Sequence, residues 1–328
     1  MDAARLPAFL LRRGVKAALV VLAVVICNFF LIHAAPGDPA SVIAGQSGAA
    51  DERFLQQLRE QFGLDRPLHV QLWLYLKGVL TLDLGFSHRQ QLPVWTLIRE
   101  RLPATLLLTG TAFVFAVSAG ILLGVMAARR VGRWADSVIT VLALTFYATP
   151  LFWVGLMLVL FFSVWLEWLP SFGMMTVGVE ITGLARVMDV GRHLILPSLT
   201  LGLFYLAVYA RLTRATMLEV ADQDFVKTAR AKGVPEGQVV RRHVLRNALL
   251  PVITFAGIQA GQLIGGAILV ETVFAWPGIG RLAFDALLAR DYAVLLGVFF
   301  CTSVMVVLLN LLTDLLYAVV DPRMEVEG

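Results

Sequence analysis

The chain has 328 residues, of which 59% are hydrophobic and only 15% are charged, and its formal net charge is +4. A soluble protein would carry about a quarter of its residues as charged side chains, so a soluble domain is excluded. Several apolar runs reach the length of about 20 residues that a spanning helix needs, whereas the alternating segments of a β-barrel do not appear. The composition therefore predicts an all-α polytopic membrane protein. Its basic residues are better explained by the excess of Lys and Arg in the cytoplasmic loops of membrane proteins than by nucleic-acid binding.

The first apolar run, about residues 9–32, follows a basic N-terminal segment. A signal peptide has the same beginning, but no clean small-x-small cleavage site follows this run, so a retained first span is predicted within residues 1–32. Residues 33–101 are predicted to be an extracytoplasmic region. It holds a Pro-Gly-Asp-Pro turn at 36–39, a mixed-charge helical stretch at 51–62 and an amphipathic stretch at 70–79.

Residues 102–328 are predicted to form a core transmembrane domain of five further helices. Pro150 interrupts one of these runs and is expected to kink or break it. An external loop is predicted at 167–192. With the N-terminus inside, 16 of the 27 Lys and Arg residues fall in the inner regions, which agrees with six spans and both ends inside. The five predicted spans are 103–128, 137–166, 194–212, 249–272 and 292–320.

A polar, basic stretch at about 213–248 separates two of these spans. Asp222 or Asp224 could cap a short helix there, because a carboxylate accepts hydrogen bonds from the first backbone N–H groups. Phe225 and Ala229 are four residues apart and share one helix face. Gly233 and the proline two residues later would end the helix. The pattern predicts a short helix outside the membrane with a small apolar face and a cationic surround; an ordinary basic loop that serves only topology is the alternative.

Three motifs resemble a known family. The stretch Thr-Ala-Arg-Ala-Lys-Gly at 228–233, with Arg-Asn-Ala-Leu-Leu-Pro at 246–251, resembles the cytoplasmic coupling loop, or EAA loop, of permease subunits in ABC importers. Where the general signature has an acidic residue and two alanines, this chain has Lys227, Thr228 and Ala229. That departure matches the version found in permeases for dipeptides, oligopeptides, nickel and glutathione. The segment 271–280 is also similar to that family, and the resemblance covers essentially the whole chain.

The resemblance implies the type I ABC importer permease fold in a bacterial inner membrane, with both termini in the cytoplasm. It also implies four kinds of partner: a second homologous permease that completes the pore, two cytoplasmic ATP-binding subunits, an extracytoplasmic substrate-binding protein, and the lipid bilayer. Short peptides are the favoured cargo, and nickel complexes or glutathione are alternatives. The residues implied to dock on the ATPase are Asp224, Phe225, Lys227, Thr228, Ala229, Arg230, Lys232 and Gly233.

No residue pattern predicts chemistry within the chain. A phosphate-binding loop needs a Gly-Lys pair, and the sequence has none, so ATP and Mg²⁺ are expected on partner subunits. The five histidines share no metal-ligand spacing, and the two cysteines, Cys27 and Cys301, lie inside apolar runs. We therefore expect no catalytic residue, no cofactor and no metal site. A passive channel stays open as the alternative from another class, whereas a membrane-embedded enzyme lacks any catalytic constellation.

Small residues and a few ionisable groups mark candidate pore or packing positions. Gly257, Gly261 and Gly265 are each four residues apart, a spacing that lets helices approach closely in lipid. Glu271, at the outer end of the same span, is expected to line a vestibule or to meet water. Asp314 is either an intramembrane functional group or an interfacial residue paired with an arginine near the N-terminus.

Overall fold

The computed structural model describes residues 6–34, 52–61, 65–87, 89–179 and 181–320. Two π-helical segments continue or join α-helices: Val159–Trp165 extends the helix Leu151–Leu158, and Val239–Leu245 connects the helix Glu236–Gln238 to the helix Arg246–Val273. The only strands within these residues are β1 (Phe86–Ser87) and β2 (Leu92–Pro93), which pair antiparallel. The helices are α1 (Leu6–Ala34), α2 (Glu52–Gln61), α3 (Leu68–Thr81), α4 (Val94–Ala128), α5 (Trp134–Ala148), α6 (Leu151–Leu158), α7 (Gly183–Ala221), α8 (Asp224–Ala231), α9 (Glu236–Gln238), α10 (Arg246–Val273), α11 (Ile279–Ala289) and α12 (Tyr292–Val320).

The prediction of an all-α polytopic membrane protein is confirmed. Among the described residues, five helices are long and apolar enough to cross a bilayer. A sixth span forms if Trp134–Ala148 and Leu151–Trp165 count as one, and these two halves are bent by 109°. The five single spans are Arg12–Leu31, Val94–Ala128, Gly183–Ala221, Glu236–Val273 and Tyr292–Thr313.

The bend lies at Pro150, where the sequence predicted a kink or a break. Thr149 has extended backbone angles, as expected for a residue that precedes proline, and Pro150 is then the N-cap residue of α6. At 1.5 Å per residue, the 15 residues of α5 rise only about 22 Å, which is less than the bilayer core of about 30 Å. Neither half of the pair is therefore a span by itself.

The bent pair, and the loop residue Trp168 that follows it, contact α7 at successive levels. Their partners on α7 extend from Arg214 back to Arg192, a rise of about 33 Å at 1.5 Å per residue. This rise is close to the thickness of a bilayer core, as expected if the bent pair counts as one span. The successive contacts are Asp136 with Arg214, Tyr147 with Phe204, Gly155 with Thr200, and the carbonyl of Trp168 with Arg192.

Two helices extend beyond the spans predicted for them. Pro103 does not start α4, which already begins at Val94 and carries Pro103 inside it. The early part of α4 is helical because it packs: Val94, Leu97 and Ile98 are almost fully buried. Likewise α7 runs through Gly183–Ala221 rather than 194–212, so it takes up residues predicted to be loop on either side.

Close contacts group the chain into two units, Met1–Pro103 with Gly278–Leu311, and Ala104–Pro277 with Leu312–Gly328. In the first unit, the start of α4 packs with α11 and α12 through Ile98, Leu282 and Val294, among others. In the second, α4, α7 and α10 form the main core around Leu108, Leu201 and other buried residues. The predicted turn at 36–39, the extreme termini and the side chain of Asp314 lie outside the described residues.

Candidate functional site

The basic stretch between α7 and α10 forms a short helix, α8, as its spacing indicated. The predicted capping is wrong, since the N-cap residue is Gln223 and it makes no side-chain capping bond. Asp222 belongs to the end of α7, where it is the C-cap residue. Asp224 lies within the first turn of α8, and its Oδ1 is 3.1 Å from Nζ of Lys227. An acidic residue in a first turn still favours the helix, because it interacts with the positive end of the helix dipole.

The end of α8 follows the predicted chemistry. Gly233 has a φ of +76°, in the left-handed region where a residue without Cβ is favoured. Its N–H donates to the carbonyl of Arg230 at 2.9 Å. Pro235 then becomes the N-cap of α9, so the chain turns sharply after two helical turns.

The apolar residues of α8 divide between the interior and the surface. Val226 is fully buried and Ala229 is 7% exposed, whereas Phe225 is 42% exposed. The predicted shared face of Phe225 and Ala229 therefore separates: Ala229 faces the protein and Phe225 faces outward. We name the buried group the α8 cluster; its members are Met217, Val220, Val226, Ala229, Val239, Val244 and Ala248.

The cationic surround of α8 is partly neutralised within the loop. Arg230 forms a two-bond fork with Glu236, with Nη2–Oε1 at 3.0 Å and Nε–Oε2 at 3.2 Å, and this carboxylate raises the pKa of Arg230. Lys227 is paired with Asp224. Lys232 is exposed and has no acidic partner among the described residues. Thr228 uses its hydroxyl to bond the carbonyl of Asp224 in its own helix, at 2.8 Å.

The three glycines predicted as packing positions differ in what they contact. A side chain at Gly257 would collide with Thr313 of α12, whose hydroxyl donates to the Gly257 carbonyl at 3.1 Å. Gly261 is buried in α10. Apart from its chain neighbours and the nearby backbone of α10, no described heavy atom of this chain lies within 4 Å of where the Cβ of a residue at 265 would be, so Gly265 does not contact another described helix of this chain.

A second glycine pair, absent from the predictions, allows a closer approach. A Cβ on Gly120 would lie 2.6 Å from Cβ of Tyr209, and one on Gly124 would lie 2.5 Å from Cβ of Thr213. These glycines are also four residues apart, so the same spacing rule could have found them. They bring α4 directly against α7.

Glu271 was expected to line a vestibule or meet water, and this expectation is wrong. Its side chain is fully buried. Thr105 donates a hydrogen bond from Oγ1 to Oε1 of Glu271 at 2.6 Å, and the Trp276 N–H donates to the Glu271 carbonyl at 2.8 Å. Glu271 therefore holds the segment after α10 against α4.

A part-buried ion pair links α5 to α7, and the sequence predictions missed it. Arg214 forms a fork on Asp136, with Nε–Oδ1 at 2.7 Å and Nη2–Oδ2 at 2.9 Å. The Asp136 side chain is only 8% exposed, and the Gly132 N–H also donates to it at 3.2 Å. The available signal was an acidic residue at the start of an apolar run, which in a membrane protein marks a candidate functional position.

A bundle of long apolar helices that carries one short, charged helix between two spans is the architecture of a transporter permease. The solved inward-facing MetNI methionine ABC transporter has a chain with this fold: the TM-score is 0.53 at 18% identity, over 69% of this chain and 96% of that chain. The likeness confirms the predicted type I importer permease fold.

The chain belongs to the family of binding-protein-dependent transport system inner membrane components, whose model matches residues 120–326. The N-terminal model of the same kind of component matches residues 6–109. The dipeptide transport system permease protein DppB of Escherichia coli K12 is 42% identical over 96% of this chain and 98% of its own length. The glutathione transport system permease protein GsiC of Salmonella typhimurium is 43% identical over 94% of this chain and 95% of its own.

The predicted family is thereby confirmed. The protein is a multi-pass inner-membrane permease subunit of an ABC importer, a system that works with a binding protein and ATPase partners. The passive-channel alternative is not favoured.

Proposed function

We propose that this chain forms half of a pore that imports short peptides, and that α8 is the element through which ATPase subunits drive it. The cargo class is supported by the two relatives, which are named for dipeptides and glutathione. Glutathione is itself a short peptide, so both names describe one kind of substrate. Nickel complexes are the alternative cargo.

The observation that carries the docking proposal is the exposed aromatic ring of Phe225. Val226 and Ala229 of α8 point inward and are buried, whereas Phe225 is 42% exposed and Lys232 of the same segment is exposed and charged. Aromatic anchors that enter a pocket on the partner, surrounded by polar residues, carry most of the affinity in protein interfaces. Phe225 would thus be the anchor on the ATPase, and Lys227, Arg230 and Lys232 would form the polar rim.

The proposed orientation follows from counting spans. If the bent α5–α6 pair crosses once, α7 is the fourth span and α8 lies on the same side as the N-terminus. The excess of basic residues on that side supports its assignment to the cytoplasm. Both termini and α8 would then face the compartment that contains ATP.

The proposed stoichiometry rests on the one candidate docking helix, α8, in the part of the chain that the structure describes. Two ATPase subunits that close over two nucleotides need two docking helices, and hence two permeases with about twelve spans. We propose that the second permease is a different, homologous chain. Closure of the ATPases would draw the two docking helices together and turn the pore from inward-facing to outward-facing, a two-state change driven by nucleotide binding. ATP and Mg²⁺ would be held by the ATPases, and no cofactor by this chain.

The test is Phe225→Asp in the complete transporter, purified in mild detergent through a tag on this chain. We expect the variant to be produced at the normal level and to lose most of its ATPase subunits, with uptake reduced at least tenfold. Phe172→Asp is the matched control, since Phe172 is 57% exposed and lies in the loop before α7, away from α8. Retention of the ATPases together with intact uptake would show that α8 is an ordinary basic loop.

A further inference from the structure

The ion pair between Asp136 and Arg214 lies where the docking region meets the membrane-spanning helices. Arg214 is seven residues before the end of α7, about 10 Å along the helix axis, and α8 begins three residues after that end. Asp136 lies in the first turn of α5, the first half of the bent pair. The two residues are 78 positions apart in sequence, so the pair is a tertiary link between separate elements.

The hydrogen bonds of this ion pair fix the relative position of Asp136 and Arg214. The two parallel bonds of the guanidinium fork fix orientation as well as distance, which a single ammonium contact would not do. The Gly132 N–H bonds the same carboxylate, so the turn between α4 and α5 is held to Arg214 as well. An aspartate that is 8% exposed needs such partners, because an unpaired buried charge is strongly unfavourable.

A second cationic contact also joins α5 to α7. Arg211, about one turn before Arg214, places its guanidinium carbon 5.1 Å from the ring centroid of Tyr147, near the other end of α5. Tyr147 in turn stacks on Phe204 of α7 at 5.3 Å between centroids. Thus α5 is attached to α7 near both of its ends, once by a part-buried ion pair and once by an exposed cation–π contact.

The α8 cluster connects the end of α7, and so the α5–α7 contacts, to the docking helix α8. Val226 and Ala229 of α8 pack with Met217 and Val220, which lie in the last two turns of α7. A displacement of α8 therefore moves the end of α7, since close-packed side chains cannot be compressed. Arg214 lies on that same end of α7 and is bonded to the start of α5.

We infer that Asp136 and Arg214 are positioning residues for coupling: they transmit the movement of the docking helix into the bent α5–α6 pair. In this role the pair makes α5 follow α7 as a unit, and α6 beyond Pro150 packs on the core through Val154 and Gly155. Without the pair, α8 and the end of α7 could move while α5 lagged behind. ATP would then be hydrolysed with little transport. This inference rests on the proposed docking role of α8.

The experiment compares Arg214→Lys and Arg214→Gln in the complete transporter, reconstituted in liposomes with its binding protein and a peptide substrate. Lysine keeps the charge and loses the fork, whereas glutamine loses the charge. The measured quantity is peptide imported per ATP hydrolysed. We expect it to fall about twofold in Arg214→Lys and at least fivefold in Arg214→Gln, with ATP hydrolysis within twofold of the unmodified protein. Arg186→Lys and Arg186→Gln are the matched controls, because Arg186 is an exposed arginine near the other end of α7, and they should leave the ratio unchanged.

Two results would overturn the inference. An unchanged ratio in Arg214→Gln would show that α5 follows α7 without the pair. If both Arg214 variants fail to assemble with their ATPases, the pair is a requirement for folding and not a coupling element. Phe225→Asp, tested in parallel, separates this outcome from failure of the docking proposal: ATPases that remain bound to that variant would disprove docking through α8, whatever the ratio for Arg214.

Discussion

Two short segments follow long helices in this protein, and they use their aromatic residues in opposite ways. In α8, which comes after α7, Phe225 is 42% exposed. In the segment 271–277, which ends α10 and follows it, Phe274 is 1% exposed and Trp276 is fully buried. Both segments resemble the same permease family in sequence. Sequence resemblance to the family therefore identifies important residues in both segments. Only the burial of each side chain distinguishes one that is free to contact a partner from one that packs in the chain's own core.

The segment 271–277 is held from several directions. Trp276 donates from Nε1 to the carbonyl of Ala104 at 2.8 Å, and the carbonyl of Phe274 accepts the Gly173 N–H at 2.8 Å. Ala275 has a φ of +51°, an unfavourable value for a residue with a Cβ, which persists only where surrounding contacts require it. By contrast, the ion pairs of α8 are exposed, and such pairs contribute only about 0–1 kcal/mol each.

The largest expected effect is that of Trp276→Ala. Removing a fully buried tryptophan and its hydrogen bond should destabilise the permease by about 3–5 kcal/mol, the usual range for large-to-small core substitutions. Thermal unfolding in detergent, read as loss of the monodisperse peak, measures the change. Trp165→Ala is the matched control, since Trp165 is 69% exposed in this chain and should shift the midpoint far less. Equal shifts for the two variants would contradict the assignment of Trp276 to the core.

A smaller effect is expected for Thr105→Val. Valine has nearly the same shape, but it cannot donate to the buried Glu271 carboxyl, and a lost bond to a buried group costs about 1–3 kcal/mol. Thr111→Val on the same helix is the control, because the Thr111 hydroxyl bonds only backbone carbonyls of its own helix, at 2.7 and 3.0 Å. We expect Thr111→Val to change the unfolding midpoint little. If Thr105→Val is as mild as the control, Glu271 does not depend on Thr105 for its burial.

Sequence patterns predicted the membrane class, the break at Pro150 and the short helix ended by Gly233, because each depends on local chemistry. They failed where a residue's role depends on a distant partner. Nothing near Asp136 in sequence indicates Arg214, and nothing near Glu271 indicates Thr105. The glycines show the same limit. Gly120 and Gly265 obey one spacing rule, yet only Gly120 meets a neighbouring helix of this chain, since the pattern does not specify which helix face finds a partner.

The smallest expected change in stability is that of Phe225→Ala. It is best measured against the substitution of the next residue, Val226→Ala. Val226 is fully buried in the α8 cluster, so Val226→Ala removes two buried methyl groups and should destabilise the permease by about 2 kcal/mol. Phe225→Ala removes a larger side chain from an exposed position and should change stability by no more than about 0.5 kcal/mol. Both are measured by unfolding of the permease in detergent before ATPase subunits are added. If α8 docks on the ATPase as proposed, the order should reverse when ATPase binding is measured, because the exposed Phe225 would contact the ATPase whereas Val226 packs on the chain itself. If Phe225→Ala destabilises the isolated permease as much as Val226→Ala does, its ring packs on the chain itself, and the contrast between α8 and the buried segment 271–277 is lost.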